Sequence, residues 1–257
     1  MKLKSATLIL LPTVLFVLIV ACGDSNQLQP TEIPTATAEY TPTLIPIVPS
    51  TPTPPPWGLL TSLPVKASDV LAAGALLDKS INQSDENRSF RGFGMPKSGN
   101  PESVSPQWEF AVPPGAPALA PVTGYVVEVH TLWSDDLSVW LSANGKESRV
   151  WEVEHVIDVL VEVGDFVETG QPIATASVFG GREIALVELE LFQGGRPPTH
   201  YCPLLYLDED ASHIINTELA NIRKENFVRL TGRGISIPAN DLDSQSCWTN
   251  LPVFDSP

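Results

Sequence analysis

Positive charge is scarce in this chain: its 257 residues carry 15 Lys and Arg against 30 Asp and Glu, a net charge of −15. No Lys or Arg occurs between Ser5 and Val65. That balance argues against nucleic acid as a partner and against adsorption to anionic headgroups. Long apolar runs are also missing, because the stretch from Ala6 to Ala21 is broken by Pro12 and falls short of the roughly 20 residues a spanning helix needs. There are three cysteines and four histidines, and they form no Cys-x-x-Cys pair and no Cys/His cluster. Neither a Gly-x-Ser-x-Gly elbow nor a Cys-His constellation is present, so serine and cysteine hydrolases are disfavoured. His130, His200 and His213 lie far apart and match no ligand spacing, which reads them as structural.

What is present is organised along the chain. Two lysines, Lys2 and Lys4, precede the short apolar run, and small residues end it. This is the pattern of a secretory signal over residues 1–21. Ile19-Val20-Ala21-Cys22 resembles the lipobox of bacterial lipoproteins, with cleavage before Cys22 and several acyl chains as the membrane anchor. An ordinary signal with a coincidental cysteine is the competing reading. Loss of Lys2 and Lys4 with the signal leaves 13 bases against 30 acids, a net charge of −17. Residues 22–56 are then a linker dense in Pro and Thr, which cannot bury a core. In polyproline geometry it reaches on the order of 90–100 Å, enough to hold a globular unit away from the membrane. With Cys22 lipidated, Cys202 and Cys247 remain as an even pair in an oxidising compartment. A disulfide across those 45 residues stabilises by about 4 kcal/mol in the chain-entropy model. Two free thiols or metal ligands are the alternative.

Residues 57–106 read as a helix and loop lead-in, with an Ala-rich helix from Ser68, as N-cap, to Leu77. Gly74 weakens that helix by roughly 1 kcal/mol relative to Ala. Residues 82–106 are polar and read as irregular loop with short strands. Residues 107–207 hold the sheet. Trp108 to Val112, Ala118 to Pro121, Gly124 to His130, Leu137 to Leu141 and Arg149 to His155 are short apolar runs separated by turn residues. Asn144-Gly145 is a hairpin signal, and Gly164 and Gly170 punctuate two further turns. The pattern predicts a mainly β fold: an antiparallel barrel or sandwich with short flanking helices. Residues 208–257 read as a C-terminal helix, Ser212 to Lys224, and a tail; Ile214, Ile215, Leu219 and Ile222 share one helical face, and Trp248 is expected to pack back on the barrel.

From about Gly92 to Leu207 the order of elements resembles the lysostaphin-type zinc endopeptidases of peptidoglycan, built on the barrel called the duplicated hybrid motif. The family's His-x-x-x-Asp segment falls on Ser105-Pro106-Gln107-Trp108-Glu109, and its aromatic-x-His element on Val153-Glu154-His155. The glycine-punctuated turn follows from Gly164 to Ala174, and the His-x-His strand falls on Leu186-Val187-Glu188. The closing element matches Pro203-Leu204-Leu205-Tyr206-Leu207. In that family the zinc ligands are the first His, the Asp and the second His of the pair. Those slots hold Ser105, Glu109 and Glu188 here, while the two supporting histidine slots hold His155 and Leu186. Zinc prefers nitrogen and sulfur donors and needs three protein ligands plus an open position for water. Ser105 is a poor ligand and Leu186 cannot move a proton. Glu109, His155 and Glu188 together would suit a harder divalent ion, held weakly. The competing reading puts Glu188 and Glu190 on the solvent face of an alternating strand and makes His155 a satisfied structural side chain.

These residues predict a cell-envelope lipoprotein, exported and membrane-anchored on the extracytoplasmic side, with a metallopeptidase-like β-barrel that binds peptidoglycan or an envelope protein without catalysis. The expectation is no cofactor, with zinc or another divalent ion as the alternative. An active zinc-dependent peptidoglycan endopeptidase with substituted ligands is the second reading. A biotinyl- or lipoyl-type carrier is the third: Lys146 sits at a hairpin but lacks the expected neighbours.

Overall fold

The structure, a computed structural model, describes residues 55–77, 88–97, 100–145, 149–231, 246–247 and 253–254. The signal, Cys22, most of the linker, Lys146 and Trp248 lie outside these residues. Among the described residues no helix is long and apolar enough to cross a membrane.

The chain is mainly antiparallel β. After helix α1 (Ala67–Leu77) come β1 (Phe90–Arg91), β2 (Pro96–Lys97), β3 (Asn100–Val104), β4 (Trp108–Val112), β5 (Pro117–Leu119), β6 (Gly124–Thr131) and β7 (Leu137–Ser142). They are followed by β8 (Arg149–Ile157), β9 (Phe166–Val167), β10 (Pro172–Ala176), β11 (Ala185–Gln193) and β12 (Thr199–Tyr201). A 3-10 turn at Pro203–Tyr206, helix α2 (Glu209–Thr231) and β13 (Val253–Phe254) complete it. Eleven strands form one sheet along the path β1-β4-β11-β8-β7-β6-β9, with β10 on β5 and β8, and β12 on β11 and β13. Among the described residues, β2 and β3 pair separately. The main sheet recruits β1 from the segment read as loop with short strands, and β1 brings Arg91 beside Glu109.

Alternation explains the core. On β11, Val187, Leu189 and Leu191 are fully buried, as are Trp108, Phe110 and Val112 on β4 and Trp151 and Val153 on β8. Side chains two residues apart share a face, so these residues meet in one layer, where Phe90 and Phe110 lie 5.1 Å apart. Each such burial contributes about 1.5–3 kcal/mol. The turns use side chains as acceptors: Glu162 N–H donates to Asp165 Oδ2 and Glu168 N–H to Gln171 Oε1. Gly164 and Gly170, at φ 97° and 75°, supply the left-handed step each turn requires.

Both helices depart from the reading of the sequence at their starts. The N–H groups of Asp69 and Val70 reach the Lys66 carbonyl, so α1 begins at Ala67 and Ser68 lies inside the first turn instead of capping it. Helix α2 starts three residues before Ser212, because the Asp208 carboxylate accepts from the N–H groups of Asp210 and Ala211 and caps it there. On α2, Ile215, Leu219 and Ile222 are buried but Ile214 is 62% exposed. Ile214 sits about 100° from Ile215 around the helix, outside the apolar stripe.

Two clasps close the fold. Cys202 and Cys247 are joined by a disulfide with Cα atoms 5.8 Å apart. The Ser246 carbonyl next to it accepts from Phe93 N–H and from Trp108 Nε1. At the start of the described chain, Arg149 lies over the rings of Trp57, at 4.4 Å, and Tyr201, at 4.0 Å. Trp151 Nε1 donates to the Gly58 carbonyl nearby.

Candidate functional site

Strand β11 lies between β4 and β8, and its register sets Glu188 opposite both Glu109 and Glu154, and Glu190 opposite Glu152. Five glutamates thus occupy one face of three adjacent strands, the face away from Val187 and Leu189. The alternating pattern alone suggests solvent for Glu188 and Glu190. They are instead 7% and 5% exposed. This second face is covered as well: Trp140 and Phe192 meet edge to face at 4.9 Å, and His200 Nδ1 lies 2.6 Å from Glu190 Oε2. His130 Nε2 approaches Glu152 at 3.9 Å, and the Ser138 hydroxyl donates to the same carboxylate. Two of the three histidines scattered in the sequence therefore converge here, while His213 sits exposed on α2.

The slots carried by the resemblance gather around Glu109. The Ser105 hydroxyl lies 2.7 Å from Glu109 Oε1. Arg91 Nη1 donates to both oxygens, at 2.9 Å to Oε2 and 3.2 Å to Oε1. The carboxylate is thus closed by a guanidinium and a hydroxyl, both arriving from within the protein. Leu186, half-buried, lies opposite Ala111, one pair further along the same face as Glu188.

His155 joins this face through a backbone irregularity. The β7–β8 register jumps from Leu137 opposite Val156 to Ser138 opposite Glu154. His155 is the extra residue, at φ 59°. A bulge of this kind re-aims a side chain. Ligand atoms of Glu154, His155 and Glu188 accordingly lie within 4.8 Å of one another. His155 Nδ1 is 3.0 Å from Asp136 Oδ2, and the Ser134 hydroxyl donates to Asp136 Oδ1 at 2.5 Å. Its Nε2 lies 3.8 Å from Glu188 Oε1, and its ring stacks on Phe179 at 3.6 Å.

Burial governs the protonation states. It lowers the His155 pKa, against the opposing charge of Asp136, so a neutral ring donates Nδ1–H to Asp136 and turns the Nε2 lone pair towards Glu188. Burial, then the charge of Glu109, pushes Glu188 up to about 8, with Lys97, Arg182 and Arg91 acting in the opposite direction. Burial and the neighbouring Glu152 likewise raise Glu154 and Glu190 well above the ordinary carboxyl range.

This donor set does not fit a hydrolytic zinc centre. Of the five slots, only His155 offers nitrogen, Glu109 is already bonded by Arg91 and Ser105, and Leu186 has no donor atom. A second group, Glu152, Glu154 and Glu190, also lies within 4.8 Å and continues the same face. The sequence showed the Glu-x-Glu repeats on β8 and β11, whose pairing would have exposed this group. Arg91 and Asp136 had no local signal, since both act across strands that are distant in sequence.

The chain is similar in part to solved structures of M23 and other peptidases. It shares 21% identity with lysostaphin from Staphylococcus simulans over 40% of this chain and 42% of that one, at a TM-score of 0.36. With the catalytic domain of the prophage-encoded M23 protein EnpA from Enterococcus faecalis it shares 22%, over 44% and 88% of the two chains, at 0.37. With a zinc-containing peptidase from Vibrio cholerae it shares 20%, over 52% and 36%, at 0.35. The chain thus spans less than half the length of lysostaphin. No protein-family profile and no curated protein matches it.

Proposed function

We propose that this chain is an exported cell-envelope lipoprotein, anchored through Cys22, whose β domain binds peptidoglycan or an envelope protein without hydrolysing it. The observation that carries the non-hydrolytic reading is the closure of Glu109 by Arg91 and Ser105. A guanidinium placed there supplies the positive charge that a metal ion would otherwise bring, yet it cannot bind and acidify water. The order of elements around Ser105, Glu109, His155 and Glu188 supports a cell-wall setting.

The experiment pairs elemental analysis with sedimentation. Protein incubated with zinc and dialysed at pH 7 is expected to retain far less than one equivalent. The same protein is expected to co-sediment with peptidoglycan sacculi and to release no new amino termini from them. Tight, near-stoichiometric zinc with chelator-sensitive cleavage overturns the proposal. That outcome would favour the second reading, an endopeptidase with substituted ligands, whose one support is the approach of Glu154, His155 and Glu188. For the anchor, Cys22→Ala should move the protein from the membrane fraction to the soluble one.

A further inference from the structure

Two loops meet over the His155 ring. The β6–β7 connection carries Trp133, which is 83% exposed. The β10–β11 connection carries Phe179 and Arg182. Phe179 lies flat on His155, with centroids 3.6 Å apart and planes 13° apart. The Arg182 guanidinium sits 4.5 Å from the Phe179 centroid, and since the imidazole fills one face of that ring, it takes the other. Trp133 meets Phe179 edge to face at 6.1 Å and His155 at 6.3 Å. The result is an imidazole–phenyl–guanidinium stack with an indole standing beside it.

Stacking orients Arg182 without consuming its hydrogen bonds. It makes no ion pair among the described residues, and its side chain is exposed. Gly180 and Gly181, at φ 63° and 72°, turn the loop, and a Cβ added at either would meet nothing within 4 Å, so the turn itself faces open space. The exposed guanidinium and the nearly bare indole flank the same phenyl ring. The pair matches a ligand with one flat apolar face and one carboxylate. An indole offers a large, stiff surface at little conformational cost, and a guanidinium takes a carboxylate in a two-pronged bond.

We propose that Trp133, Phe179 and Arg182 form a subsite for a carboxylated sugar, the pyranose ring stacking on Trp133 and its carboxylate bonding to Arg182. The inference rests on the reading of this domain as a binder of wall polymers and adds the ligand chemistry. Two sources carry that chemistry: the lactyl-ether amino sugar of wall glycan from which the stem peptide has been removed, since the peptide otherwise caps the lactyl carboxyl as an amide, and the uronic acids of polysaccharides.

The test is calorimetric titration of the intact exported domain with three oligosaccharides: neutral chitotetraose, a lactyl-bearing wall disaccharide and tetragalacturonate. At least one acidic ligand is expected to bind at least tenfold more tightly than the neutral one, and which one identifies the source. Trp133→Ala and Arg182→Gln are each expected to weaken it about tenfold, and Arg182→Gln to abolish its salt dependence. Trp133→Phe should recover part of the loss. Both side chains are exposed, and unchanged melting curves would confirm that the variants fold. Equal affinity for neutral and acidic sugars, no binding of any, or unaltered affinity in both variants overturns the subsite. Sacculus sedimentation keeps the two failures apart. Sacculi that bind the parent while neither acidic sugar does refute the subsite alone, whereas an acidic sugar that binds while sacculi do not refutes the wall reading alone.

Discussion

Replacing Glu188 by Gln keeps the size and hydrogen-bonding shape of a protonated carboxyl group but removes its ability to ionise. Glu188 titrates at about 8 in the fold against an ordinary value of 4.5, chiefly through burial and secondarily through Glu109. Below pH 4.5 the group is protonated in both folded and unfolded chains, and the stabilisation from its raised folded pKa is fully present. As pH rises the unfolded chain releases a proton that the fold keeps, so stability falls by about 1.4 kcal/mol per pH unit until the folded group ionises near pH 8. From pH 5 to pH 8 the loss amounts to about 3–4 kcal/mol. Glu188→Gln lacks this term. Its stability relative to the parent should therefore rise by about that amount across the same interval, superimposed on any constant offset from the substitution. Urea denaturation followed by tryptophan fluorescence at pH 5, 6, 7 and 8 gives both curves. Parallel curves would refute the reasoning, because they would mean that Glu188 is already ionised at neutral pH, as it would be with a bound cation.

The Arg91–Glu109 pair is nearly buried, with side chains 14% and 9% exposed, so Arg91→Met strands a carboxylate among other carboxyl groups and should cost about 3 kcal/mol or more. Adding Glu109→Gln should recover most of it, and a loss below about 1 kcal/mol by denaturant titration would show that Arg91 does not balance this charge. Gly124→Ala should cost about 2 kcal/mol or more, because a Cβ there would stand 2.3 Å from the Ser142 carbonyl oxygen. Gly194→Ala, which meets nothing within 4 Å, is the control; equal melting temperatures for the two variants would contradict the packing.

The strands along the chain, the two glycine turns and the pairing of Cys202 with Cys247 were legible because each leaves a local mark: alternation, a Gly just before a polar acceptor, an even cysteine pair. Alternation also showed that Glu188 and Glu190 share a face, but it cannot say whether that face is wet. That depends on Trp140, Phe192 and His200, which reach it from other strands. Ser105, Glu109, His155 and Glu188 could be grouped through the resemblance alone. The partners that decide their chemistry, Arg91 and Asp136, are joined to them only by register and by loop position. Ile214 shows the same limit at a smaller scale, since a neighbour in sequence can fall outside a helical stripe.

The bulge at His155 also governs how any substitution there must be interpreted. With its backbone at φ 59°, the position suits Gly or Asn at least as well as His and disfavours β-branched side chains. A valine placed there would pull the strand towards regular pairing and slide each later residue of β8 by one step, carrying Val156 out of the interior. Loss of binding in such a variant would report a misaligned strand and say nothing about the imidazole. Asn is the informative exchange, since it leaves the kink in place while removing the ring.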